Sequence, residues 1–353
     1  MHQRKIAGKG LPVLALALVT SLVLTVFYAC SGGSGSSDTS DGDSGTAAVA
    51  SIEIVQEPDK TVYEEGEKFD PTGMVVDALL EDGTTESDVS FSYTKRALET
   101  TDTSVTITYG DAKAYQEVTV TYLGNNEQYS VANTPALDGS PLEGKTYMFL
   151  GSSVTYGYGS GGEAISDYLV KRNGCTAVKE AVGGTTLADI ENSDGKANYV
   201  QRLETYIESE DREEYLDAFV CQVSTNDMYD SDNFGVVTDD DVTDIDAFDR
   251  TTTFGAMEYI VTRVSEVWDC PFVFFTNNNM GNANYEAMVD AALQIEAKYD
   301  SVTVLDLYHD EEFNDITSEE KSLYMMDYVH PTKAGYREWW LPEFEELLTE
   351  LAA

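Results

Sequence analysis

The chain of 353 residues is poor in histidine, cysteine and positive charge, and each shortage narrows what it can do. It has three histidines, and His2 falls in a leader segment, which leaves His309 and His330 as the imidazoles for general-base work near neutral pH. It has four cysteines, Cys30, Cys175, Cys221 and Cys270, none in C-x-x-C spacing. Neither a zinc site nor a disulfide framework is signalled. Cys221 lies in an apolar run and reads as a small buried hydrophobe. Lys and Arg number 21 against 64 Asp and Glu, a formal net charge of -43. Such a surface repels phosphate backbones, which argues against nucleic acid as a partner, and it repels anionic membrane surfaces too.

What is present begins with a targeting pattern. Arg4, Lys5 and Lys9 form a basic start, 11–29 is an apolar run without a charge, and Cys30 follows Phe27-Tyr28-Ala29. Residues 1–30 resemble a bacterial lipoprotein signal in which Cys30 carries the lipid, although Phe27 stands where an aliphatic residue is more usual. An uncleaved anchor is the alternative, because the apolar run is long enough to span a membrane once. Either way the rest of the chain is expected outside the cell, tethered to the bacterial membrane surface by that N-terminal lipid or anchor alone. Residues 31–49 hold Ser, Gly, Asp and Thr with almost nothing to bury, and read as a flexible tether.

Residues 50–123 contain short alternating runs such as Ser51-Ile52-Glu53-Ile54-Val55, punctuated by Glu65-Gly66, Asp82-Gly83 and Gly110-Asp111. About six or seven short strands in a small sandwich are expected. The stretch 63–74 (YEEGEKFDPTGM) resembles bacterial Ig-like domains of surface proteins, which implies a spacer or a module touching cell wall or glycan. Cysteine and tryptophan are absent from it, so the disulfide-and-tryptophan core of antibody domains is excluded. Residues 124–144, rich in Asn, Pro, Gly and Ser, read as a linker.

From 145 to 353 the pattern changes. Apolar strand-like runs at 147–150, 176–182, 218–223, 271–276 and 302–307 alternate with helical periodicity over 163–172, 198–209, 252–268, 284–299 and 332–351. That order predicts an open parallel sheet of five strands covered on both faces. Ligands of such sheets sit beyond the C-terminal strand ends, so chemistry-bearing residues should follow strands. Gly151-Ser152-Ser153 follows the first run, Gly183-Gly184 the second and Ser224-Thr225-Asn226 the third, while Asp327-Tyr328-Val329-His330 comes after the fifth. Acyl transfer needs a hydroxyl nucleophile, a base, a carboxylate to hold the imidazole, and donors aimed at the developing oxyanion. Each stretch offers one such part.

These four stretches, in this order, resemble the SGNH/GDSL hydrolase family over the whole of 145–353. The resemblance implies a flavodoxin-like three-layer α/β/α fold and a serine esterase. Ser153 matches the family nucleophile, and Asp327 and His330 match its D-x-x-H pair. Gly184, with Gly183 as the adjacent register alternative, matches the glycine that helps bind the oxyanion. Asn226 matches the amide donor, and the Ser153 N–H completes the set. Ser152 replaces the aspartate of the family name and Ser224 a common glycine. Neither position belongs to the triad. No metal and no organic cofactor is implied. The expected substrate is a small-molecule or polysaccharide acyl ester, with an acetyl ester on a carbohydrate favoured by association with the export signal and Ig-like module. A lysophospholipase or thioesterase is the rival within the enzymes, and an inert surface adhesin the rival outside them.

Gly157-Tyr158-Gly159-Ser160-Gly161-Gly162 fits G-x-G-x-x-G, but its first glycine comes six residues after Gly151, too late for a dinucleotide turn. The nucleophile elbow of α/β-hydrolases needs a glycine where Thr155 stands. His309 follows a strand run, and Asp306 is assigned to that strand with its side chain turned by the two-residue period, which leaves His309 unpaired. Residues 227–249 carry nine aspartates, Asp227 among them. Asp230-x-Asp232 opens like a calcium loop, but Phe234 occupies a ligand position, so a solvated acidic loop on the pocket rim is expected, disfavouring anionic substrates.

Overall fold

Alternation in the N-terminal part becomes strand structure in the computed structural model, which describes residues 47–191 and 194–353. The leader, Cys30 and the tether up to residue 46 lie outside the described residues. Eight strands follow: β1 (Val49–Gln56), β2 (Val62–Glu64), β3 (Val75–Leu80), β4 (Thr85–Glu86), β5 (Ser92–Tyr93), β6 (Ser104–Tyr109), β7 (Ala112–Glu117) and β8 (Thr119–Thr121). Two of them, β4 and β5, are two residues long, too short to show a period in sequence. Gly110, at φ 59°, supplies the tight turn that sets the β6–β7 hairpin in register from Tyr109↔Ala112 to Ser104↔Glu117. The strands form small sheets of order β1-β3-β4, β2-β8 and β5-β6-β7 around Ile52, Tyr63, Phe69, Val76, Val105 and Ile107.

The second domain runs β9 (Thr146–Gly151), α1 (Ser153–Tyr156), α2 (Ile165–Asn173), β10 (Thr176–Ala181), α3 (Tyr199–Ile207), β11 (Ala218–Gln222), α4 (Thr253–Trp268), β12 (Phe272–Phe275), α5 (Ala283–Lys298), β13 (Val302–Leu305), α6 (Glu311–Asn314), α7 (Ser318–Tyr324) and α8 (Leu341–Ala352). Its five strands pair in parallel in the order β10-β9-β11-β12-β13. Successive side chains of the central strands enter opposite cores. Met148, Leu150, Phe219, Cys221, Phe272 and Phe274 pack on the face covered by α3, α4 and α5. Tyr147, Phe149, Ala218, Val220, Val273 and Phe275 pack on the face covered by α2 and α8. Both faces are therefore dry, which is why the strands read as apolar runs rather than as alternating ones. The expected last helix is split: Gly335–Trp340 winds as a π-helix before α8 begins.

The stretch between the domains is ordered. Three 3₁₀ turns, Leu123–Asn125, Glu127–Tyr129 and Val131–Asn133, are held by side chains that loop composition usually supplies. Asn126 caps the second turn through Gln128 N, and Ser130 Oγ donates to Glu127 O. The strap docks on the second domain through Val131 N to Glu163 and Tyr168 Oη to Tyr129 O.

Candidate active site

The sheet order reverses between β9 and its neighbours β10 and β11, which opens a crevice at their C-terminal ends. Ser153 opens α1 directly after β9 and is 8% exposed. Its Oγ lies 2.8 Å from His330 Nε2. On the other side of the ring, Nδ1 lies 2.8 Å from Asp327 Oδ2. Asp327 Oδ1 also accepts from the backbone N–H groups of Val329 and His330 at 2.7 and 2.8 Å. Burial alone raises the Asp327 carboxyl, but the imidazole and the two backbone donors outweigh it and hold it below the ordinary aspartate value. Hydroxyl, imidazole and carboxylate thus form one hydrogen-bonded line.

A cleft of about 680 Å³ opens on this line, walled by Tyr156, Tyr158, Gly183, Gly184, Lys196 and Asn226 among others. Gly184, at φ 81°, turns the chain after β10, and Gly183 is the one that abuts Ser153: a Cβ there would sit 3.7 Å from the Ser153 Cβ. Asn226 Nδ2 donates to Thr185 O at 2.8 Å, which sets the orientation of its amide at the cleft. Asn226, Gly184 and Ser153 therefore surround one space, from three different strand ends.

The expected acidic rim needs correction. Among the described residues that line the cleft none is acidic; Lys196 there donates to Gly183 O at 3.0 Å and pairs with Asp194 beside the cleft at 2.7 Å. The aspartates from Asp230 to Asp249 are exposed and none of them lines the cleft, while Phe234 and Phe248 bury and pin the segment from within. Thr238 is clamped by Glu258 and Lys298, a 2.7 Å ion pair with side chains 0% and 1% exposed. Asp227 is not part of that surface: it is 3% exposed and accepts from Leu187 N, Ala188 N and Thr253 Oγ1. It ties the segment just after Gly184 to that after β11, and burial pushes its carboxyl above the ordinary value. Among the described residues no group of three or more His, Cys, Asp or Glu is arranged to hold a metal ion.

A family model for the GDSL-like lipase/acylhydrolase family matches residues 149–338, which hold most of the sheet and all the cleft residues named above. The chain belongs to that family. As a GDSL-like acylhydrolase it is a carboxylic ester hydrolase. A second model, the bacterial Ig-like domain of group 3, matches residues 56–132. Solved structures similar to the hydrolase include a protein from Lactobacillus plantarum (21% identity, TM-score 0.46, covering 59% of this chain and 98% of that one). Others are a carbohydrate acetylesterase family member from Sinorhizobium meliloti (16%, 0.42, 59% and 99%) and an acetylxylan esterase from Geobacillus stearothermophilus (13%, 0.39, 58% and 94%). No curated protein matches the chain by sequence.

Several residues that shape the site of this GDSL-like hydrolase escaped the sequence reading. Gln222, 1% exposed at the end of β11, accepts through Oε1 from Ser152 N at 3.0 Å, Thr155 N at 3.2 Å and Thr155 Oγ1 at 2.8 Å, gripping the turn around Ser153. Its signal was available: it is the one polar side chain in an otherwise apolar run, 218–223. Arg202 on α3 donates to Glu180 O and Gly151 O, joining the ends of β9 and β10. Tyr336 Oη donates to Val154 O within α1. The reading of His309 also fails. β13 stops at Leu305, so Asp306 lies past the strand and its Oδ2 reaches His309 Nδ1 at 2.8 Å. This second Asp-x-x-His pair has no hydroxyl bonded to its Nε2 among the described residues, which separates it from the Ser153 line.

Proposed function

We propose that the enzyme is an extracellular serine esterase that removes acyl groups, acetyl above all, from carbohydrates. Ser153 Oγ attacks the ester carbonyl carbon while His330 Nε2 takes its proton, and Asp327 holds the ring with Nδ1 as the donor. The oxyanion is met by the N–H groups of Ser153 and Gly184 and by the Asn226 amide. His330 returns the proton to the departing alcohol oxygen as the ester C–O bond breaks. Water, deprotonated by the same imidazole, then attacks the acyl-enzyme and releases the carboxylic acid and free Ser153. The unbroken Ser153–His330–Asp327 hydrogen-bond line beside the cleft carries this reading.

The carbohydrate part rests on the walls. Tyr156 and Tyr158 stand 48% and 60% exposed on the cleft, flat faces of the kind that pack on sugar rings. Tyr229 and Tyr328, also exposed and joined hydroxyl to hydroxyl, flank Asp327. The tether at Cys30 and the place outside the cell rest on the leader sequence alone. Ser153→Ala should abolish hydrolysis of p-nitrophenyl acetate and labelling by a fluorophosphonate while leaving the melting temperature in place. A wild-type chain that takes no label would make it an inert surface protein instead. A rate profile that rises from acetyl to long acyl esters would favour the lipase or thioesterase reading, to which the same apolar wall is open.

A further inference from the structure

The strap between the domains meets the active site from behind. Asn125 accepts at Oδ1 from Lys333 N at 2.9 Å, three residues after His330. Its Nδ2 donates to Gly159 O at 2.8 Å, in the loop that carries Tyr158 on the cleft wall. One side chain therefore bonds to both segments that enclose the imidazole. Those segments touch: a Cβ on Gly159 would fall 2.5 Å from Pro331 O and 3.0 Å from the His330 Cβ, and the Tyr158 ring lies 5.0 Å from the His330 ring. Gly124, the preceding strap residue, is as close on its other side, where a Cβ would meet Leu323 O at 1.8 Å and Thr332 Oγ1 at 2.3 Å. The His330 segment is gripped from the sheet side as well, by Asn277 Nδ2 on Val329 O at 2.9 Å.

We propose that Asn125 is a positioning residue for His330, and that through it the Ig-like module is part of the active-site support rather than a spacer. The continuity is direct. Asn126, next in sequence, donates to Glu64 on β2, and Glu127 pairs with Lys333 at 3.4 Å. The Ig-like family match itself runs to residue 132, through the strap. A strap that merely linked two domains would have no reason to bond the backbone on both sides of the imidazole.

The inference rests on the proposed role of His330, and its test is chosen to separate the two. In the full chain, Asn125→Ala removes both bonds, and Asn125→Asp keeps an acceptor for Lys333 N while losing the donor to Gly159. For p-nitrophenyl acetate, kcat should fall about tenfold or more in the alanine variant and less in the aspartate variant, with KM within about threefold, because a misplaced base costs turnover more than binding. Independently of activity, the carbon-bound imidazole protons of His330 should shift or broaden in the NMR spectrum, while those of His309 stay in place. Folded variants with wild-type kcat and wild-type His330 signals overturn the proposal. If the wild-type chain hydrolyses no ester, the reading of the function falls, and the His330 signals alone decide whether Asn125 positions the ring.

Discussion

Gln222→Met isolates the acceptor that holds the Ser153 turn. Methionine keeps nearly the same length and volume but offers no carbonyl oxygen. The N–H groups of Ser152 and Thr155 then lose their partner in a site that is 1% exposed. Each buried N–H left unpaired costs roughly 1–3 kcal/mol, and the Thr155 hydroxyl can rotate elsewhere. Against this, Gln222 Nε2 has no hydrogen-bond partner among the described residues, and removing it returns about 1 kcal/mol. The net loss is about 1–5 kcal/mol, and at about 2–4 °C per kcal/mol for a domain of this size the melting temperature falls by about 2–20 °C. Because the freed groups flank Ser153, the proposed nucleophile, kcat on p-nitrophenyl acetate should drop about tenfold or more. Calorimetry and steady-state kinetics measure the two effects. A cycle with Thr155→Val should show coupling of about 0.5–3 kcal/mol. A melt within about 2 °C of wild type with unchanged kcat refutes the reasoning.

Asp327→Asn should lower kcat about 10³–10⁴-fold with KM little changed, because the amide no longer holds the ring with Nδ1 as the donor. The Asp327 carboxyl is held below its ordinary 3.8, so its stabilising contribution is complete above that value and is lost only as pH falls through the depressed one. Melts of wild type and the asparagine variant should accordingly differ at neutral pH and converge only in acid, as pH falls through the depressed value. Glu258→Gln leaves Lys298 charged and unpaired at 1% exposure, and should cost about 3–5 kcal/mol by denaturant titration, with faster proteolysis within 234–249 as Thr238 is released. Gly159→Ala should lower kcat at least about tenfold because its methyl group meets Pro331 O. Gly161→Ala, open in space but at φ 72°, should cost only about 1–2 kcal/mol of stability.

The parallel sheet was readable because strands buried on both faces must be apolar throughout, as 147–150, 218–223 and 271–276 are. The site blocks were readable because the topology puts functional groups after strands, which gave Ser153, Gly184, Asn226 and the Asp327/His330 stretch a common address. What stayed hidden acts one bond further back. Asp227 looked like one more acid in a run of nine, and only the fold shows it buried beneath Leu187 and Ala188. Asn125 sat among loop-forming residues whose docking surface comes from helices two hundred positions later. Asp306 was misassigned by the length of one strand end, since a single residue reverses a side chain's direction.

The exposed aspartates of 230–249 acquire a use once the reaction is written down. Hydrolysis of a neutral ester consumes an uncharged molecule and releases a carboxylate. A chain of net charge -43 exerts no net pull on the first and repels the second, over a range of about 10 Å at 0.1 M salt. Among the described residues no carboxylate lines the cleft, so this repulsion acts on the acid product once it has left the cleft mouth and disfavours its return. Inhibition by added acetate should therefore be weak at low ionic strength and grow as salt screens the field.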